Sequence, residues 1–292
     1  MIEWLVGHRC RRVLLFVIIL CLAAMFQPVQ ALAQAPEGAW GPHEVVWSKR
    51  GYACDHPIAL GDAQGRVHVF WIGWDEPGSI ANYTTVSIHY ARLENGRWTT
   101  PNSVLVSPNN KVYDDPAVDI DTSGVLHFVW SDGARLYYSR AYSGRAEDAR
   151  NWSAPKVIAM PANESSLKID PSGVIHVVYT THDQPSVWHI SSADGGETWS
   201  RPVVAGTIDR LEGVNGVRLA VSGDGTLHVA WSLDKYPEGW PSQRLLYTRS
   251  EDGGRTWDKP WTVTSRETET YVSEGAPWYL NVATDGGDRV FL

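Results

Sequence analysis

One phrase recurs five times along this chain, and the repeat limits the fold more than any other feature. It reads ALGDAQGRVHVFW at 59–71, DIDTSGVLHFVW at 119–130, KIDPSGVIHVVY at 168–179, AVSGDGTLHVAW at 220–231 and VATDGGDRVFL at 282–292. Aligned on Gly65, Gly124, Gly173, Gly225 and Gly287, the copies stand 59, 49, 52 and 62 residues apart. Each copy predicts a strand, a tight Asp/Ser/Gly turn and a second strand rich in Val, Phe and Trp.

A second hairpin follows each of the first four copies. Its first strand is SIHYAR at 87–92, RLYYSR at 135–140, SVWHIS at 186–191 or RLLYTR at 244–249. Its second strand opens on Trp98-Thr-Thr-Pro101, Trp152-Ser-Ala-Pro155, Trp199-Ser-Arg-Pro202 or Trp257-Asp-Lys-Pro260. Proline there suits an outer strand that needs no ladder donor at that point. One repeat is thus four antiparallel strands. With no helical periodicity and a period near 50 residues, the reading is all-β, a β-propeller of four-stranded antiparallel blades. Runs such as VLHFVW fit a second strand covered on both faces by neighbouring blades. His68, His127, His176 and His228 occupy one equivalent position in four blades, so they read as structural and not as a metal site.

Residues 1–33 are set apart as a secretory signal peptide. Arg9, Arg11 and Arg12 precede an apolar run of 14 residues from Val13 to Phe26, and Ala31-Leu32-Ala33 suits cleavage. A bilayer span needs about 20 residues, so a retained anchor is the weaker reading. The expected destination is the periplasm, the cell surface or the medium. Removing Arg9, Arg11, Arg12 and Glu3 moves the formal charge from −8 to −10, which argues against nucleic acid as a partner. Cys10 and Cys21 leave with the signal, and Cys54 alone cannot form an internal disulfide. The domain at 34–292 must be held by its core. Residues 40–46 resemble an outermost strand that could close the ring, and Leu292 falls inside the second strand of the fifth repeat. The expectation is a propeller truncated in its fifth blade.

Two stretches repeat in register as Ser192-x-Asp194-x-Gly196-x-Thr198-Trp199 and Ser250-x-Asp252-x-Gly254-x-Thr256-Trp257. They resemble the Asp-box, or BNR repeat, of sialidases and other propellers. Carboxylate and hydroxyls can accept from turn amides, glycine permits positive φ, and Trp packs into the blade. The motif joins the third and fourth strands of a blade, on the same face as the turn between the first two. It therefore reads as a folding device. Leu93 to Trp98 and Tyr142 to Trp152 hold the same place without the motif.

Candidate site residues belong on the opposite face. Ten residues before the aligned glycines stand Asp55, Asp114, Asn163 and Asn215, with Pro277 in the fifth repeat; nine before stand His56, Asp115, Glu164, Gly216 and Trp278. The loops between second and third strands add Trp74-Asp75-Glu76, Ser131-Asp132, His182-Asp183 and residues 234–240. Together they predict an acidic funnel with aromatic walls, suited to sugar hydroxyls and pyranose faces. Asp and Asn that merely turn the chain into each inner strand are the plainer reading. Glu212 and Glu274 precede their glycines by thirteen residues each. Arg218 stands out because a charge on an inner strand is costly unless paired or facing a channel.

Repeat, Asp-boxes and signal together make residues 40–292 similar to the sialidase superfamily. That resemblance implies six blades when complete, and glycan hydrolysis by a Tyr nucleophile with Glu, an Asp acid/base and three carboxylate-binding arginines. The family's Arg-Ile-Pro motif is absent: the corresponding segments read Asp55-His56-Pro57 and Asp114-Asp115-Pro116. Asp in place of Arg inverts the charge that would meet a sialic acid carboxylate. Asp75, with Glu76 as rival, is the candidate acid, and Glu212 the candidate carboxylate partner. Asp55, Asp114, Asn163, Asn215, Arg218 and Trp278 are the candidate substrate contacts. The two functional readings are a glycan-active enzyme and a non-catalytic propeller binding glycan or protein. No cofactor is expected, with calcium in the acidic funnel as a minor third reading.

Overall fold

The computed structural model describes residues 44–49, 52–75, 86–109, 112–181, 186–207, 212–235, 239–263, 280–287 and 289–292. Residues from Val46 to Leu292 form one unit. It is all-β, with strands in antiparallel sheets ordered as they occur in the chain. The first sheet holds β1 (Tyr52–Gly61), β2 (Val67–Asp75) and β3 (Val86–Glu94), with β4 (Arg97–Trp98) and β5 (Asn102–Val106) both pairing with β3. The second holds β6 (Tyr113–Ile120), β7 (Val125–Ser131), β8 (Leu136–Tyr142) and β9 (Lys156–Ala159). The third holds β10 (Ser165–Ile169), β11 (Ile175–Thr180), β12 (Ser186–Ser192) and β13 (Val203–Thr207). In the fourth are β14 (Glu212–Val221), β15 (Leu227–Lys235), β16 (Gly239–Ser250) and β17 (Trp261–Thr262), followed by a hairpin of β18 (Ala283–Thr284) and β19 (Val290–Phe291).

The first turn of each sheet follows from local chemistry. Asp121 Oδ1 accepts from the backbone N–H of Ser123 at 2.9 Å and of Val125 at 2.8 Å, and Asp62 and Asp170 do the same in their sheets. Gly65, Gly124, Gly173 and Gly225 take φ of 75° to 88°, which side chains with a Cβ rarely adopt. The last hairpin departs from the aligned sequence. Thr284 pairs with Val290, and the positive φ falls on Gly286 and not Gly287. That register puts Phe291 where the other sheets have histidine.

Those histidines are buried structural groups. Nδ1 of His68, His127 and His228 lies 2.6–2.7 Å from the hydroxyl of Tyr90, Tyr138 and Tyr247 on the neighbouring strand. Their Nε2 atoms bond Asp62, Asp121 and Ser222 in the turn. His176 differs only in its strand partner, His189, at 3.1 Å. Burial lowers the pKa of all four.

The core lies between sheets. Phe70, Ile88 and Tyr90 of the first pack on Leu126, Phe128 and Trp130 of the second. Val129, Leu136 and Tyr138 pack on Leu167, Ile175 and Val177 of the third. Val178 and Val187 pack on Val217, Leu219, Val229 and Trp231 of the fourth, whose far face meets Val282. Each such side chain adds about 1.5–3 kcal/mol on burial. Successive first strands, β1, β6, β10, β14 and β18, are neighbours. The sheets are therefore stacked like propeller blades, with their first strands inward.

Candidate functional site

Every sheet has two ends, and they differ in chemistry. At one end lie the first turns and, in the third and fourth sheets, the Ser-x-Asp-x-Gly-x-Thr-Trp turns. Asp194 accepts from Thr198 through both N at 2.9 Å and Oγ1 at 2.5 Å, and from Ser192 Oγ at 2.7 Å. The bonds from Thr198 hold its carboxyl well below the ordinary range. Asp252 repeats these contacts with Thr256 and Ser250, and its pKa falls to about 2.

These turns also fasten one sheet to the one before. Tyr138 Oη donates to Gly195 O at 3.0 Å, and Arg140 reaches both Gly195 O and Glu197. Gly196 and Gly254 sit so close to the preceding sheet that a Cβ would lie 2.2 Å from Tyr138 Oη and 2.1 Å from His189 Cε1. Trp199 and Trp257 pack edge-on against the same two rings. The carboxylates of Asp194 and Asp252 are thus saturated by their own turns.

The other end carries a bulge at the start of every full first strand. Register shifts fall between Asp55 and Ile58, between Tyr113 and Ala117, and between Asn215 and Val217. In the third sheet Asn163 and Glu164 both bond Thr180, two residues against one. The sequence causes are visible: Pro57 and Pro116 have no N–H for a ladder, and Gly216 takes φ of 75°. Glu164 reaches across to the fourth sheet, where its Oε2 accepts from Gly216 N at 2.5 Å.

Beyond the bulges the first strands enclose a cavity of about 600 Å³. Asp55 and His56 line it from β1, Pro116 and Ala117 from β6, Ser165, Ser166 and Lys168 from β10, Arg218 from β14, and Leu280 to Ala283 from the last segment. Of the sequence candidates, Asp55 and Arg218 meet in this lining. Asp55 is exposed and accepts from His56 N at 2.8 Å. Arg218 is half-buried and donates to Val217 O at 2.9 Å. Asn163 is buried just before β10, its Oδ1 without a hydrogen-bond partner.

Asp114 lies within β6, and Asn215 in β14 pairs in register with Ser232. Glu212 starts β14 opposite Lys235, and Asp75 ends β2 opposite Tyr52, so both sit at the bulged end of their sheets. Trp278, Glu76, Glu274 and residues 40–43 fall outside the described residues. Asp132 is occupied otherwise: it accepts from Ala134 N, Arg135 N, Tyr137 Oη and Asn109 Nδ2 and caps its own turn.

The expected acidic, aromatic-walled funnel rests mostly on Asp75, Glu76, Asp114, Asp115, His182, Asp183 and Trp278, whose side chains fall outside those described. The described part of the lining carries Asp55, Lys168 and Arg218 as its charged side chains. The inner-strand carboxylate Asp119 is turned into the sheet stack, where it accepts from Ile169 N at 3.0 Å. Lys168 and Ser165 were missed from sequence. Lys168 carries the same signal that marked Arg218, a charge on a first strand, at a position where the other sheets have Leu60, Asp119 and Ala220. Ser165 gave none.

No family model matches the chain. Over 99 residues it is 29% identical to a xyloglucanase from Paenibacillus sp, a match covering 32% of this chain and 9% of that protein. Similar solved structures include a protein of unknown function from Dyadobacter fermentans DSM 18053, with TM-score 0.58 and 15% identity over 75% of this chain and 71% of that one. The NanB sialidase of Streptococcus pneumoniae gives TM-score 0.54 and 10% identity, covering 77% of this chain. The chain spans 54% of the NanB chain's length. The fold is sialidase-like.

Proposed function

We propose that this protein is an exported glycan-binding propeller whose ligand occupies the cavity among the first strands. One observation carries the reading: bulged strands of four sheets and a segment of the fifth converge on a single recess of about 600 Å³. That size falls in the range of about 300–1,000 Å³ typical of small-molecule pockets. Bulges gather at sites where a sheet must re-aim side chains. The fold alone would license no activity, but NanB is a sialidase and the Paenibacillus relative a xyloglucanase, and both names support a carbohydrate ligand.

The wider proposal follows the sequence: residues 1–33 direct export, and the blades belong to a ring of six. An array of neutral and acidic oligosaccharides tests the ligand class. Saturable retention lost in Arg218→Ala supports the reading, and retention on no glycan overturns it.

A second reading is glycoside hydrolysis, which needs two carboxylates flanking the bond. It is favoured by Asp75 and Glu212 lying at the bulged end of their sheets. Turnover of fluorogenic glycosides that disappears in Asp75→Ala would establish it. Binding without turnover supports recognition alone.

A further inference from the structure

We propose that the junction between the third and fourth sheets is an acid-released latch, set by the paired imidazoles of His176 and His189. In the first, second and fourth sheets the second-strand histidine bonds a tyrosine hydroxyl, that of Tyr90, Tyr138 or Tyr247. In the third, His189 stands in the tyrosine's place. Its Nε2 lies 3.1 Å from His176 Nδ1, and the rings stack with centroids 5.3 Å apart. Both are buried, at 1% and 2% exposure. His189 is also the surface on which the fourth sheet's Asp252 turn is seated. A Cβ on Gly254 would lie 2.1 Å from His189 Cε1, and Trp257 meets the ring edge-on at 5.5 Å.

The pair has a place for one added proton and none for a second. A bond between two ring nitrogens needs one donor and one acceptor. A first proton can be held on His176, whose Nε2 faces the Asp170 carboxylate at 3.3 Å. A second sets N–H against N–H across the 3.1 Å contact and breaks it. Few charges surround the rings: Asp252 from the fourth-sheet turn, and Lys168 in register with His176 on β10. The other neighbours are apolar, with Val203 beside His189 on β13, and Val217 and Leu219 sent to this interface by β14. Burial, reinforced by His176, holds His189 to about 3. A histidine in water binds its proton near 6.5, so acid favours the state in which the turn has lifted off the ring. That opening should grow about ten-fold for each pH unit between about 6.5 and 3. At the junction of the second and third sheets Tyr138 holds the corresponding place and donates to Gly195 O at 3.0 Å, and a phenol gains no proton in this range.

Hydrogen exchange of the full chain, read by mass spectrometry at about pH 6.5 and 4.5 and divided by the intrinsic chemical rate at each pH, tests the latch. The carboxyls of Asp194 and Asp252 are both depressed and stay ionised over that range, so the two turns differ in the ring on which each is seated. Protection of the 250–257 turn should fall about 100-fold, and that of the 192–199 turn by less than about ten-fold. His189→Tyr should abolish the larger fall, and His189→Gln, which keeps a polar side chain without titrating, should do the same if the tyrosine does not fold. Equal falls in the two wild-type turns, or none at 250–257, overturn the latch without recourse to a variant. So does a fall at 250–257 that persists in either substitution once circular dichroism has confirmed its fold.

Discussion

The two ends of the sheets use similar residues to opposite effect. At the turn end, Asp62, Asp121, Asp170, Asp194 and Asp252 have their oxygens occupied by backbone amides and hydroxyls a few residues away. At the bulged end, Ser165 Oγ and Asn163 Oδ1 are buried without partners, and Lys168 and Arg218 line the cavity. Satisfied polar groups stabilise a fold, and unsatisfied ones are retained at a cost. An aspartate-rich motif is thus the wrong place to seek chemistry here, and the cavity among the first strands is the better one.

The largest effect expected from breaking the turn end is at the sheet junctions. Gly254→Ala or Gly196→Ala meets both a positive φ and an occupied space. Each should cost about 3 kcal/mol or more in urea unfolding, from strain together with overpacking. A loss under about 0.5 kcal/mol would show that these junctions do not hold the stack.

Acid comes next. His189 is pulled to about 3 by burial, with His176 adding to the shift and Asp252 opposing it. Unfolded histidine therefore binds protons more readily than folded, so stability is complete above about pH 6.5 and falls as the pH drops toward 3. Asp252, also depressed in the fold, acts in the same direction below the ordinary carboxylate value of 3.8. Melting temperature should be flat at neutral pH and decline below about 6.5. His189→Tyr, which installs the residue found at Tyr90, Tyr138 and Tyr247, should flatten the decline between pH 6.5 and 4. A slope unchanged by that substitution would assign the acid sensitivity to other groups.

Smaller still is Ser192→Ala, which removes a buried hydroxyl donating to Asp194 and accepting from Gly196 N at 2.8 Å. About 1–2 kcal/mol is expected, measured by the same unfolding curve. Smallest of all is Lys168→Met: within about 0.5 kcal/mol of wild type, or slightly more stable, because a half-buried cation contributes little to the fold. A marked destabilisation would mean that Lys168 belongs to the clasped end's economy after all.

The same contrast explains what was legible in the sequence. Strand alternation, Asp/Gly turns and the Ser-x-Asp-x-Gly turns are local, so the four-stranded units could be read from spacing alone. Arg218 was legible because a charge stands out on an apolar strand. The fifth repeat misled by one residue because Asp285-Gly286-Gly287 offers two adjacent glycines, and only the pairing of Thr284 with Val290 decides between them. The cavity's polarity was beyond reach. It depends on which side chains of five distant strands converge, and Ser165 is an ordinary residue until its surroundings are known.

The most direct test of the account is glycan binding at one temperature below every melting point, compared between Asp194→Ala/Asp252→Ala and Arg218→Ala. The account predicts that the double variant melts earlier yet binds glycan as wild type does, while Arg218→Ala keeps its fold and loses binding. Binding lost in the folded double variant and kept in Arg218→Ala would contradict it.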